Sequence, residues 1–83
     1  MKNKSFDELL NVILACKDKK ELTNLLEGIL TPKELEEIPT RLQIVKMLKK
    51  GIPQSKIAQE LGIGVATVTR GSKEIQRGRF SSI

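Results

Sequence analysis

An all-α fold is predicted for this chain of 83 residues, a small multi-helix domain ending in a helix-turn-helix. Three observations predict it. Leu, Ile, Glu and Lys dominate, there is no Trp or Tyr, and Phe6 and Phe80 are the only aromatics. Apolar residues recur at three- and four-residue spacing instead of alternating. Capping residues followed three positions later by glutamate mark several helix starts.

In chain order, Ser5 with Glu8 matches a capping box, and Phe6, Leu9, Leu10 and Ile13 follow at helical spacing, so a first helix is expected to about Cys16. Asp18 with Glu21 repeats the signal before the stripe Leu22, Leu25, Leu26 and Ile29, which gives a second helix. "TPKE" opens a third, with Thr31 as cap, Pro32 at the first helical position and Glu34 reaching back to the cap's N–H. Its inward residues are expected to be Leu35, Ile38, Leu42, Val45 and Leu48, with Gly51 as its stop. Pro39 lacks the N–H that would bond to the Leu35 carbonyl, so a kink or a short first segment is expected there. After Gly51, "PQSKIAQEL", "GIG" and "VATVTRGSKEIQR" read as helix, tight glycine turn and helix, with Ile57, Ala58 and Leu61 facing Val68 and Ile75. Gly78 ends the last helix and "RGRFSSI" reads as a frayed tail. The organisation is therefore residues 1–30, an N-terminal helical dimerisation region; 31–78, the helix-turn-helix core; and 79–83, a C-terminal tail.

Charge divides the chain more sharply than its total of +5 suggests. Residues 1–40 carry six Lys against eight acids, whereas residues 41–83 carry nine Lys or Arg against Glu60 and Glu74 alone. A basic half joined to a leucine-rich half suggests a polyanion-binding part and a packing or pairing part; the bland alternative is a solvated basic face. A chain this short buries only roughly 60 to 65 % of its unfolded surface, which makes oligomerisation an expectation. The lone Cys16 and the lack of His exclude an internal disulfide and a Cys/His metal site, and Cys16 reads as a small core residue. The apolar run "VILAC" is too short for a signal peptide or a membrane span, so a cytoplasmic location is expected. No nucleophile or acid–base constellation suggests an enzyme, and the lack of aromatic platforms disfavours single-strand RNA binding.

Placed at about 100° per residue, the last helix separates into three stripes. Val68, Ser72 and Ile75 form a core face. Val65, Ala66, Thr69, Lys73, Gln76 and Arg77 form a second, small at its N-terminal end and polar or basic beyond, as a helix reading the major groove requires. Thr67, Arg70, Gly71 and Glu74 form a third that neither packing nor groove reading asks for. A mid-helix glycine costs about 1 kcal/mol relative to alanine. Here it leaves bare backbone where a flat group can lie, with a guanidinium beside it to stack or grip a carboxylate. The competing reading is a helix irregularity with Arg70 holding phosphate.

The run "LTPKELEEIPTRLQIVKMLKKGIPQSKIAQELGIGVATVTRGSKEI" resembles the core of the bacterial Trp repressors, over Leu30 to about Gln76. The segment "ELGIGVATVTRGS" is its most specific part. The resemblance implies an intertwined, all-helical homodimer that binds palindromic operator DNA when L-tryptophan is present as corepressor. Arg41 and Arg70 match the two arginines that sandwich the indole ring, and Arg70 also the one that grips the carboxylate. Thr31 matches a threonine near that carboxylate, Leu30 a partner-subunit carbonyl receiving the ammonium, and Thr67 and Gly71 residues against the indole. On the DNA side, Gln54 matches a contact at the start of the first motif helix, and Val65, Ala66, Thr69 and Lys73 contacts of the recognition helix.

The departures are specific. Ser55, beside Gln54 on the expected DNA side, and Ala58 stand where better-known members carry basic residues, so a different operator sequence is expected. Glu74 stands where the family has a serine beside the ligand's ammonium. It can pair with that ammonium, or pair with Arg70 and fill the site. Pro39 replaces a common glycine, one residue is missing between Gly51 and Gln54, and no further helix is expected after Gly78. Three functions remain in contention: a repressor switched by L-tryptophan or a related amino acid; the same DNA-binding dimer without a small ligand; and a helix-turn-helix part of a recombinase or transposase, or a helical protein-interaction module.

Overall fold

Five helices and no strand make up the residues that the computed structural model describes, 3–83. They are α1 (Lys4–Ala15), α2 (Lys19–Ile29), α3 (Pro32–Lys49), α4 (Gln54–Leu61) and α5 (Val65–Gln76). The chain divides into two compact units, Met1–Glu36 and Glu37–Ile83, with the division inside α3 in the turn before Pro39.

In the first unit, local capping sets the helix starts. The cap of α1 is Asn3, not Ser5: the Phe6 N–H donates to Asn3 Oδ1 at 2.6 Å, which places Ser5 one residue inside the helix. At α2 the Glu21 N–H donates to Asp18 Oδ1 at 2.9 Å, while Glu21 Oε1 accepts from the Lys17 N–H, one residue further back than in a reciprocal box. The α3 box is reciprocal, since Glu34 N–H donates to Thr31 Oγ1 and Thr31 N–H to Glu34 Oε1. Neither α1 nor α2 contains a buried residue, and Phe6, Leu10, Val12, Leu14 and Ile29 are exposed. Cys16 is half-buried rather than a core residue, its thiol donating to the Val12 carbonyl.

The core lies in the second unit, where Ile44, Ile57, Ala58 and Val68 pack together, with Met47, Leu48, Ile52, Leu61 and Ile63 around them. α3 runs unbroken through Pro39, so no separate first segment exists. Its inward face is the expected one in part. Val45 is buried and Leu48 packs against the core, whereas Ile38 and Leu42 are exposed and Ile44, not among the expected residues, is buried. The helix has two adjacent apolar faces, and the one carrying Ile44, Met47 and Leu48 meets the core of this unit.

Gly62 takes a left-handed conformation at the end of α4, φ 66°. Ile63 N–H returns to the Ala58 carbonyl and Gly62 N–H to the Gln59 carbonyl, a Schellman motif that satisfies the terminal carbonyls and swings the chain into α5. The same paired bonds close α3 at Gly51 and α5 at Gly78. Gly78 (φ 89°) reverses the chain, and residues 79–82 form further turns instead of fraying. Lys49 Nζ donates to the Phe80 carbonyl and, at 2.7 Å, to that of Ile83. Phe80 is held at φ 62°, a conformation that costs a bulky L-residue on the order of 1–3 kcal/mol.

Candidate functional site

The third stripe of α5 faces a cavity of about 150 Å³. Thr67, Arg70, Gly71 and Glu74 line it from α5, and Arg41, Ile44 and Val45 from α3. Phe80, returned by the Gly78 turn, is its eighth lining residue. The walls are mainly apolar and include the charged residues Arg41, Arg70 and Glu74, a lining compatible with a small ligand.

Gly71 has a different immediate role from open backbone. A Cβ built on it would stand 3.2 Å from Ile44 Cγ2 and 3.6 Å from Leu48 Cδ1. The missing side chain lets α5 approach α3 closely, and the cavity lies alongside that contact. This close approach accounts for a glycine in mid-helix.

The charges are arranged asymmetrically. Glu74 accepts from Arg77 Nη1 at 2.9 Å and stands 3.8 Å from Arg79 Nε. It is not paired with Arg70. Among the described residues Arg41 and Arg70 have no hydrogen-bond or ion-pair partner, so two guanidinium groups remain available beside an apolar cavity. Of the residues singled out for a ligand, Arg41, Thr67, Arg70, Gly71 and Glu74 come together here; Leu30 and Thr31 belong to the first unit and do not line this cavity. Ile44, Val45 and Phe80 were not foreseen. The first two lie three and four residues after Arg41 and were legible as its helix-face neighbours. Phe80 had no local signal beyond being one of two aromatics.

On the second stripe, Val65, Ala66, Lys73, Gln76 and Arg77 are exposed. Arg77 bends back to Glu74. Thr69 is half-buried, and its hydroxyl lies 2.7 Å from Gln54 Oε1 and 3.0 Å from the Val65 carbonyl. One hydroxyl proton serves one acceptor at a time, so Gln54 Oε1 and the Val65 carbonyl compete for it, the Gln54 contact being the shorter. This pair ties the first residue of α4 to the middle of α5. Ser55 is exposed beside it.

A family described as Trp repressor protein matches residues 4–81. The chain belongs to the Trp repressor protein family. It is 36% identical over 74 residues to the Trp operon repressor homolog of Vibrio campbellii, covering 88% of this chain and 74% of that one. It is 41% identical over 73 residues to the Trp operon repressor homolog of Pasteurella multocida, covering 87% and 69%. It is also 31% identical over 78 residues to the uncharacterized protein YerC of Bacillus subtilis, covering 94% and 75%. No solved structure matches. The Trp repressor family is one of regulators rather than enzymes, and membership points to a DNA-binding regulator. Among the described residues, no helix is long and apolar enough to cross a membrane.

Proposed function

We propose that the protein is a homodimeric transcriptional repressor whose α4–α5 helix-turn-helix binds palindromic operator DNA when L-tryptophan or a related amino acid occupies the cavity between α3 and α5. The observation that carries this reading is the position of the cavity. It lies against one face of α5, and the small and basic face expected to read the groove lies on another. An occupant there sets the angle at which α5 leaves the core. In a dimer that angle sets whether two recognition helices stand about one DNA turn, roughly 34 Å, apart. Arg41 and Arg70, which have no partner among the described residues, suit a flat ring and a carboxylate.

Pairing of two chains is supported by α1 and α2, amphipathic helices in which no described residue is fully buried and Phe6, Leu10, Val12, Leu14 and Ile29 are exposed. Gln54, Ser55, Val65, Ala66, Thr69, Lys73, Gln76 and Arg77 form the proposed DNA-facing set. Lys and Arg there hold phosphates, and the small residues at the start of α5 allow close approach to base edges.

A second reading, the same dimer without a small ligand, is favoured by one observation: Glu74 is already paired and Phe80 already lines the cavity. Titration calorimetry with L-tryptophan, together with anisotropy of a labelled palindromic duplex, separates the two. Heat of binding and a tryptophan-dependent gain in specific DNA affinity support the repressor. Neither heat nor a melting shift at millimolar tryptophan leaves the ligand-free regulator. In both cases duplex binding weakens steeply with salt, which a protein-interaction module does not require.

A further inference from the structure

We infer that the turn after Gly78 is a latch on the α3–α5 cavity, with Phe80 as a built-in occupant of its edge that an amino-acid effector must displace. The inference rests on the effector-site reading above and specifies how that site is regulated.

Size is the first argument. A cavity of about 150 Å³ accommodates a single six-membered ring. The cavity is partly open to solvent, so an indole carrying an amino-acid backbone would extend across its rim, and of the lining groups Phe80 alone lies outside both helices. It is 37% exposed, so it lies at the rim and can leave without opening the core.

The tethers are the second. Phe80 holds a backbone conformation that bulky residues rarely adopt, and such conformations persist only where neighbours impose them. Here Lys49 grips the carbonyls of Phe80 and Ile83 from the end of α3. Glu74 holds Arg77 and Arg79 on either side of Gly78. All of these are exposed, reversible contacts. Glu74 also lines the cavity, so an effector ammonium competing for its carboxylate loosens Arg79 and the turn, and frees Arg77 from its intrahelical pair. Ligand entry, latch release and the availability of a basic side chain on the groove face of α5 are thereby one event.

The test is calorimetric titration of L-tryptophan into the full chain and into the Phe80→Ala and Lys49→Met variants, with 19F NMR of fluorophenylalanine-labelled protein. Phe6 and Phe80 give the only two resonances. With the turn closed about nine-tenths of the time, Phe80→Ala binds about tenfold more tightly than the parent, and Lys49→Met binds more tightly by a smaller factor. The Phe80 resonance moves on saturation of the parent. Binding to the variants alone also supports the latch. Binding to the parent that is unchanged or weaker in Phe80→Ala, or that leaves the Phe80 resonance in place, overturns the latch and leaves the effector site standing. Absence of binding to all three proteins overturns the effector site and the latch together.

Discussion

Glu74 and Arg77 form an ion pair of 2.9 Å on the last turn of α5, with the Glu74 side chain 26% exposed. The pair joins two faces of one helix, because Glu74 lines the cavity and Arg77 belongs to the basic stripe. A carboxylate expected either to receive a ligand's ammonium or to neutralise Arg70 is not paired with Arg70, and it restrains a cation of the proposed DNA face.

Glu74→Gln should therefore separate folding from DNA binding. A partly exposed i,i+3 pair contributes at most about 1 kcal/mol, so the urea midpoint should move little. The change removes one negative charge and releases Arg77, so non-specific duplex affinity should rise and its salt dependence steepen. Anisotropy over a salt series measures both; an unchanged slope would mean that Arg77 does not reach phosphate.

The contact between Gln54 and Thr69 predicts measurable coupling between α4 and α5. Thr69→Val keeps the shape and removes the hydroxyl, at a cost of about 1 kcal/mol. Gln54→Ala should cost a similar amount, and the double mutant less than the sum, because both remove one interaction. Additive losses in a urea double-mutant cycle would show that the two side chains act independently. Ile57, fully buried in the same unit, provides the contrast: Ile57→Ala should cost about 2–5 kcal/mol.

Leu14, 82% exposed on α1, tests self-association. In a single chain Leu14→Glu is nearly neutral, since little apolar surface is lost from water contact. If α1 packs against a second copy, the same change buries a charge at the interface and should shift sedimentation equilibrium strongly towards monomer. An unaltered association constant would move the interface away from Leu14.

Capping and face separation were legible in the sequence because both are local. Asp18 and Thr31 each meet their glutamate three residues on, within one helical turn. The grouping of Thr67, Arg70, Gly71 and Glu74 follows from helix periodicity whatever surrounds the helix. Ser5 failed as a cap because Asn3, two residues earlier, also has a side-chain oxygen able to bond the first turn, and periodicity does not choose between them. What lay opposite the third stripe was not legible. Ile44 sits on a helix with two apolar faces, and Phe80 arrives through a left-handed turn and a lysine 31 residues away in sequence. Glu74 is captured by Arg77, at the C-cap just past α5, and not by Arg70 one turn before it, although either spacing is sterically available.

Gly71 yields the prediction on which sequence and structure differ most. Propensity alone favours Gly71→Ala by about 1 kcal/mol. The new Cβ would stand 3.2 Å from Ile44 Cγ2, so Ile44 must retreat by a few tenths of an ångström. Ile44 is 1% exposed and β-branched, with little rotamer freedom to retreat into, and the resulting crowding offsets the propensity gain. Gly71→Ala should thus lie within about 1 kcal/mol of the parent. Gly71→Val adds two methyl groups against the same wall and should lose about 2 kcal/mol or more, with an unchanged urea m-value if the folded state stays cooperative. A valine variant as stable as the parent would show that α5 can move away from α3, and close approach would then no longer explain the glycine.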